Sequence, residues 1–67
     1  MRVNEVISRC RTDQPLVIHY DYDKRTISGS TYDIINKEEF RLNCIGDLIV
    51  TKIYTFKSDL VLKAVKP

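Results

Sequence analysis

Apolar and polar residues alternate strictly between Leu16 and Tyr22 in this chain. One parity holds Leu16, Ile18, Tyr20 and Tyr22, and the other holds Val17, His19 and Asp21. Successive side chains of a β-strand point to opposite faces of the sheet. The segment is therefore predicted to be an amphipathic strand with one face in the core.

A short helix is predicted before this strand. Its apolar positions recur at the spacing of one helical face: Val3, Val6, Ile7 and Cys10. Asn4 is the predicted N-cap. Pro15 ends the segment, because the residue before a proline avoids the α conformation. A helix this short is stable only when it packs on the rest of the domain.

Four further strands are predicted. They run from Thr26 towards Ile35, over Phe40–Cys44, over Leu48–Phe56 as one strand or two broken near Lys52, and over Leu60–Val65. The apolar phase slips around Gly29, which predicts the bulge or bend that a small barrel needs. We therefore expect one mainly β domain over residues 1–67: a small SH3-like or Sm-like barrel of about five antiparallel strands with a short N-terminal helix. The predicted core includes Ile18, Leu42, Val50 and Ile53.

Size and charge narrow the possible functions. A chain of 67 residues leaves little room for a deep substrate pocket beside a core. Eleven Lys and Arg against nine Asp and Glu give a net charge of +2, which is too small to indicate nucleic-acid binding by itself. We find no stretch of signal-peptide or membrane-spanning type, and two cysteines do not make a disulfide framework. These features predict a cytoplasmic protein with no membrane partner.

Residues able to carry catalysis are few. His19 and Asp21 share one face of the first strand. They could form a catalytic base oriented by a carboxylate, but an ordinary polar pair on the surface is the favoured interpretation. Cys10, Cys44 and His19 lack the paired spacing of a zinc site. Both cysteines are predicted to pack in the core as small apolar residues. The sequence therefore predicts a protein that is not an enzyme and has no metal or cofactor.

Tyrosines interspersed with basic residues offer a first binding surface. Its candidate members are Tyr22, Lys24, Arg25, Lys52, Tyr54 and Lys57. Exposed rings next to cations can stack bases and hold phosphates of single-stranded nucleic acid. The alternative is that Tyr20 and Tyr22 belong to the apolar face of the barrel, since their parity matches that of Leu16 and Ile18.

Two other surfaces are candidates. Arg9 and Arg11, with Arg2, lie off the apolar stripe of the predicted helix, where they either contact phosphates or acidic groups or form a solvated face. The last strand, Leu60–Val65, is apolar and predicted to lie at an open sheet edge. Another chain can extend such an edge by strand addition.

The order of helix, strand, strand bent at Gly29 and further strands resembles that of the Sm-like barrels. The helix leading into Pro15-Leu16-Val17-Ile18 resembles the start of an Hfq-type RNA chaperone. Glu39-Phe40-Arg41-Leu42, with the later stretch Val50–Phe56, is similar to the end of the small Rho-inhibitor (Rof-like) proteins and of WYL-type regulatory domains. The Tyr-Lys-His of Hfq and the Trp-Tyr-Leu of WYL domains are absent. The resemblance, over residues 3–56, thus implies a barrel and a regulatory role but assigns no RNA-site residue.

Two hypotheses follow from these patterns. The first is a small regulatory protein that binds another protein, in the setting of transcription or RNA handling. The second is an Sm-like module that binds single-stranded nucleic acid, with oligomerisation into a ring as one form. An enzyme that depends on Cys10 or His19 ranks well behind both.

Overall fold

The computed structural model describes every residue from Met1 to Pro67. Its elements follow in this order: α1 Val3–Ile7, β1 Pro15–Tyr20, β2 Arg25–Ser30, α2 Thr31–Ile35, α3 Glu38–Leu42, a 3-10 turn Ile45–Asp47, β3 Ile49–Phe56 and β4 Asp59–Val65. None of the helices has the length and apolar character that crossing a lipid bilayer requires.

The four strands form one mixed sheet in the order β2-β1-β4-β3. β1 and β2 form an antiparallel hairpin, as do β3 and β4, and the hairpins meet where β1 and β4 pair in parallel. The prediction of a mainly β domain is confirmed. The predicted barrel of about five antiparallel strands is wrong, because there are four strands and the end strands β2 and β3 do not pair with each other.

The last strand lies in the middle of the sheet, so the prediction that Leu60–Val65 forms an exposed edge is wrong. β4 pairs with β1 on one side and with β3 on the other. Val61, Leu62 and Ala64 are buried. A nearly continuous apolar run is typical of a strand that has a neighbouring strand on each side and lies in the interior of a sheet.

All the helices pack on one face of the sheet and enclose the core there. The core cluster contains Val3, Val6, Leu16, Ile18, Tyr20, Ile27, Ile34, Ile45, Leu48, Leu62 and Ala64. The parallel register places Leu16 beside Leu60 and Ile18 beside Leu62 on this face. The opposite face carries no helix, and we call it the open face.

The first two predicted elements are confirmed. Leu16, Ile18 and Tyr20 are buried as the alternation predicts. Tyr22 is 83% exposed because β1 ends at Tyr20 and the chain turns. In α1, Val3 and Val6 are buried, and Ile7 and Cys10 pack against the core. The N-cap, however, is Arg2 rather than Asn4, and the Glu5 carboxylate accepts a hydrogen bond from the Arg2 backbone N–H at 2.9 Å.

Helices α2 and α3 replace the predicted end of the second strand and the whole predicted strand Phe40–Cys44. Ser30 starts α2 as its N-cap, with its hydroxyl accepting from the Asp33 N–H at 3.1 Å. The N–H and the hydroxyl of buried Thr31 both donate to the Gln14 carbonyl, at 2.9 and 3.0 Å. These bonds satisfy the first helical donors and turn the chain away from the sheet.

The predicted core residues have mixed outcomes. Ile18 is fully buried, as predicted, and Val50 is half-buried against the core. Leu42 and Ile53 are 62% and 47% exposed, so their predicted burial is wrong. Leu42 ends a helix that buries none of its residues, and Ile53 lies on an edge strand beyond the cover of the helices.

Candidate functional site

The outer edge of β3 is divided into an occupied part and an open part. Arg2 bridges Ile49 on the side away from β4. The backbone N–H of Val3 donates to Leu48 at 2.9 Å, and that of Val50 donates to Met1 at 2.8 Å. No strand lies outside the remainder of β3. We call this remainder, Lys52–Phe56, the free edge.

The free edge exposes side chains on both of its faces. Ile53 is 47% exposed, Tyr54 is 36% exposed and Phe56 is 61% exposed. The register with β4 puts Ile53 and Thr55 on the helix side, and Lys52, Tyr54 and Phe56 on the open face. An unpaired edge with large apolar side chains on two sides is the kind of surface that another polypeptide covers.

A bulge separates the two parts of β3. The pairing with β4 shifts between Val50 and Lys52, which leaves Thr51 as the extra residue. Its hydroxyl donates to the Lys63 carbonyl at 3.2 Å. Of the two alternatives predicted for Leu48–Phe56, one strand or two broken near Lys52, the structure shows the first: one continuous strand, Ile49–Phe56, with a bulge next to Lys52. The regular segment that remains after the bulge is the free edge.

The other end of the sheet is protected in a way that β3 is not. The one large apolar residue of β2, Ile27, is buried, and the rest of the strand is polar apart from Gly29. The Lys37 ammonium donates to the Ser28 carbonyl at 2.9 Å. A polar composition disfavours edge pairing, and in β2 the lysine also occupies a backbone carbonyl of the edge strand. The two edges therefore differ, and β3 is the one available to a partner.

The open face carries a basic row beside an aromatic and aliphatic row. The basic row crosses the strands as Thr26, His19, Lys63 and Lys52, and the next row crosses them as Ser28, Val17, Val61 and Tyr54. Two lysines directly opposite each other repel, and an anion placed between them would relieve that repulsion.

The charged groups of this face are partly engaged. The Lys63 ammonium lies 3.1 Å from the Asp23 carboxylate. The Lys52 ammonium lies 5.3 Å from the centre of the Tyr54 ring, and the Lys57 ammonium lies 5.7 Å from the centre of the Phe56 ring. Cation–π contacts at exposed sites contribute about 0.5–1 kcal/mol each. The end of β3 is thus an aromatic surface bordered by cations.

The structure does not gather the predicted binding residues into one site. Lys52, Tyr54 and Lys57 lie together at β3 and the turn after it. Tyr22, Lys24 and Arg25 lie at the β1–β2 turn, which is at the opposite end of β4 from Lys57 because β1 and β4 are parallel. The members that the sequence analysis missed are Ile53 and Phe56, and their signal was the long β-branched and aromatic run of β3.

The predicted basic helix face does not form. Helix α1 ends at Ile7, so Arg9 and Arg11 lie beyond it. Arg11 pairs with Asp13 at 3.4 Å on the surface. Arg2 donates from its guanidinium to the Asp47 carbonyl at 2.7 Å and so serves the fold. The three arginines therefore do not form the face of one helix.

The β1–β2 turn is strained. Asp21, Tyr22 and Asp23 have φ values of 54°, 56° and 65°, in the left-handed region. L-residues avoid this region at a cost of about 1–2 kcal/mol each, although aspartate tolerates it better than tyrosine does. The conformation projects Tyr22 into solvent, away from the apolar face that its parity predicted.

The groups that suggested chemistry contact other residues rather than each other. The Nδ1 of His19 lies 2.9 Å from the Thr26 hydroxyl, whereas Asp21 lies 4.0 Å from Arg25. Burial raises the pKa of the Cys10 thiol, against a smaller opposing effect of the Thr31 hydroxyl. No group of three or more His, Cys, Asp or Glu side chains converges as metal ligands would.

A cleft of about 400 Å³ lies where β1 and β4 end, and Tyr20, Arg25, Asn43 and Leu48 form part of its lining. The Tyr20 hydroxyl donates to the Glu39 carboxylate beside this cleft. Burial, and then the hydrogen bond to Glu39, raise the pKa of Tyr20 above its usual value of 10.0, with Arg25 opposing. The neutral phenol is therefore the form that stabilises the fold.

We expect Tyr20→Phe to lower the free energy of unfolding by about 1 kcal/mol at neutral pH, through loss of the bond to Glu39. A raised folded-state pKa gives stability that is present below the unfolded-state pKa and lost as the pH rises through the folded-state value. The difference in the free energy of unfolding between wild type and Tyr20→Phe should therefore disappear above pH 10.0. Urea unfolding across this range measures it. Tyr22→Phe is the control, and a gap for Tyr20→Phe that stays constant with pH contradicts the argument.

Comparison with protein-family models, with curated proteins and with solved structures gave no match to this chain. The resemblance to Sm-like and Rof-like proteins gains no support from these comparisons and stays a prediction.

Proposed function

We propose that this chain is a small non-enzymatic regulatory protein that binds an extended segment of another polypeptide by strand addition at the free edge. The observation that carries the proposal is the asymmetry between the two sheet edges. Lys52–Phe56 is open, regular and apolar on both faces, whereas β2 is polar and its Ser28 carbonyl is bonded by Lys37.

Strand addition at this edge already occurs within the chain. Met1–Val3 bond to Leu48–Val50 through two main-chain hydrogen bonds. A partner strand would continue that ladder beyond the bulge. Its main chain would supply affinity, and pockets for its alternate side chains would supply specificity. Ile53 would contact the side chains on one face of the partner strand, and Tyr54 would contact those on the other face.

Exposure of this segment has a cost that a partner would remove. Eight residues of high β propensity with a single charge and no proline or glycine make up β3. An exposed edge of that composition promotes aggregation. Covering it with a partner strand buries Ile53 and Phe56, and burial of a large apolar side chain contributes about 1.5–3 kcal/mol.

A second candidate function, single-stranded nucleic-acid binding, is favoured by the Lys52–Tyr54 and Lys57–Phe56 pairs on the open face. Base stacking on such rings contributes about 1–3 kcal/mol per base. Either function suits a component of the transcription or RNA machinery. The free thiols of Cys10 and Cys44 support a cytoplasmic location for it.

We expect affinity purification from the native host to recover a protein partner that nuclease treatment does not remove. Ile53→Lys replaces an exposed apolar side chain, on which the partner strand would pack, with a charge and should abolish the capture. Ser28→Lys, which places the same charge on β2, should leave the capture intact. Amide hydrogen exchange should show that the partner protects Lys52–Phe56.

Capture that survives Ile53→Lys, or protection that falls outside Lys52–Phe56, contradicts the strand-addition proposal. If nuclease treatment removes the captured material, single-stranded nucleic-acid binding becomes the favoured function. In that case binding of a labelled single-stranded RNA should weaken steeply with added salt.

A further inference from the structure

We propose that the polypeptide covering the free edge is a second copy of this chain, paired antiparallel β3 to β3 around a two-fold axis at Tyr54. This inference rests on the proposed strand addition and names its partner. It follows from the register that the edge allows, from the charges along it, and from what bounds it.

The register is restricted by the alternation of faces. In an antiparallel pair, two residues directly opposite each other point to the same face of the sheet. A two-fold axis between two consecutive residues would pair residues that point to opposite faces, so the axis must pass at a residue, which then pairs with its own copy. An axis at Ile53 would bring the bulge residue Thr51 into the pairing, and an axis at Thr55 would leave fewer strand residues paired. An axis at Tyr54 pairs the whole regular segment, Lys52–Phe56, with itself.

This register places no two like charges directly opposite each other. Each Lys52 lies opposite Phe56 of the second copy on the open face, so that the ring lies between Lys52 of one copy and Lys57 of the other, whose ammonium is 5.7 Å from the ring centre. The two Lys52 residues lie four residues apart along the ladder, about 13 Å at strand spacing, so they do not oppose each other. Ile53 lies opposite Thr55 on the helix side.

The ends of the free edge also match. Pairing beyond Lys52 is stopped by Met1–Val3, which already occupy the edge at Leu48–Val50. Pairing beyond Phe56 is stopped by the turn at Lys57–Ser58. In the two-fold arrangement the last paired residue of one copy, Phe56, lies opposite the first paired residue of the other copy, Lys52. Both limits on the pairing therefore fall at the same place. The product is one eight-stranded sheet whose two open faces are continuous across Tyr54.

Cysteine cross-linking tests this register directly, in a Cys44→Ser background that removes the exposed thiol. Directly opposite residues of an antiparallel pair have Cα atoms about 4.5–5.5 Å apart, within the disulfide range of about 4.4–6.8 Å. Tyr54→Cys should therefore form a covalent dimer under mild oxidation. Ile53→Cys and Thr55→Cys should not do so separately, but a mixture of the two should form the heterodimer.

Sedimentation of the chain without cysteine substitutions should give twice the monomer mass of 7.8 kDa, and Ile53→Lys should return it to the monomer. Efficient cross-linking of Ile53→Cys with itself overturns the register. A chain that sediments as a monomer and does not cross-link through Tyr54→Cys overturns the inference. If such a monomer still captures a host protein that protects Lys52–Phe56, the proposed function stands and only the second copy is excluded.

Discussion

Replacing Ile18 with alanine is expected to lower the free energy of unfolding by about 2–5 kcal/mol. Ile18 is fully buried in the middle of β1, where it lies beside Ile27 of β2 and Leu62 of β4 under the helices. The loss combines the transfer free energy of the removed methyl groups with the cavity they leave. Small domains have a total stability of about 5–15 kcal/mol, so the variant is expected to be partly unfolded at modest temperature.

Urea and thermal unfolding measure this effect, and Ile53→Ala is its matched control. Ile53 is the same residue type on the same side of the sheet, but it is 47% exposed. We expect the control to lose less than about 1 kcal/mol in the monomer, since exposed positions rarely contribute more. Equal losses at the two positions would show that the helices do not cover β1 as described.

Gly29→Ala is expected to lower the free energy of unfolding by about 1–3 kcal/mol through backbone strain. Gly29 has a φ of +141°, which L-residues rarely adopt. Space is not the obstacle, because the nearest atom to an added Cβ is the Asp33 Cβ at 3.4 Å, an ordinary contact. The strain arises because a residue with a Cβ is unfavourable at this φ.

Gly46→Ala separates strain from crowding. A Cβ at Gly46 would lie 2.4 Å from the Asn4 amide oxygen, but the φ of Gly46 is not positive. The crowding atoms end a side chain that can rotate, so we expect a smaller loss than at Gly29. Urea unfolding of both variants, with Gly46→Ala repeated in an Asn4→Ala background, checks this. A larger loss at Gly46 that Asn4→Ala does not relieve would contradict it.

Local patterns predicted the elements that have one buried face. The alternation in β1 and the helical spacing of Val3 and Val6 report directly on burial, and both predictions are confirmed. The segment after Gly29 misled because Tyr32 and Ile34 match a strand spacing over a few residues. The competing signal was Ser30 followed by Asp33, a helix-start pattern that the structure uses. In α3, Glu38 and Glu39 in the first turn and Arg41 in the last suit the helix dipole.

Strand order was beyond these patterns, because alternation describes one strand and not its neighbours. The apolar run Leu60–Val65 is the available signal for a central strand, but its position near the chain terminus favours an edge. The candidate site was predicted in part for a related reason. Lys52, Tyr54 and Lys57 are close in sequence and remain together. Tyr22 and Lys24 are separated from them by the parallel pairing of β1 with β4.

The bridge between Arg2 and Ile49 has a practical consequence for anyone who handles this protein. Because the bridge is antiparallel, Met1 lies alongside Val50, and a residue that preceded Met1 would lie farther along β3, towards Lys52. Any residues placed ahead of Met1, such as a purification tag, would be directed along β3 towards Phe56 and would compete with an incoming strand. Pro67 lies outside the sheet ladder and is the safer attachment point for a label or an immobilising linker.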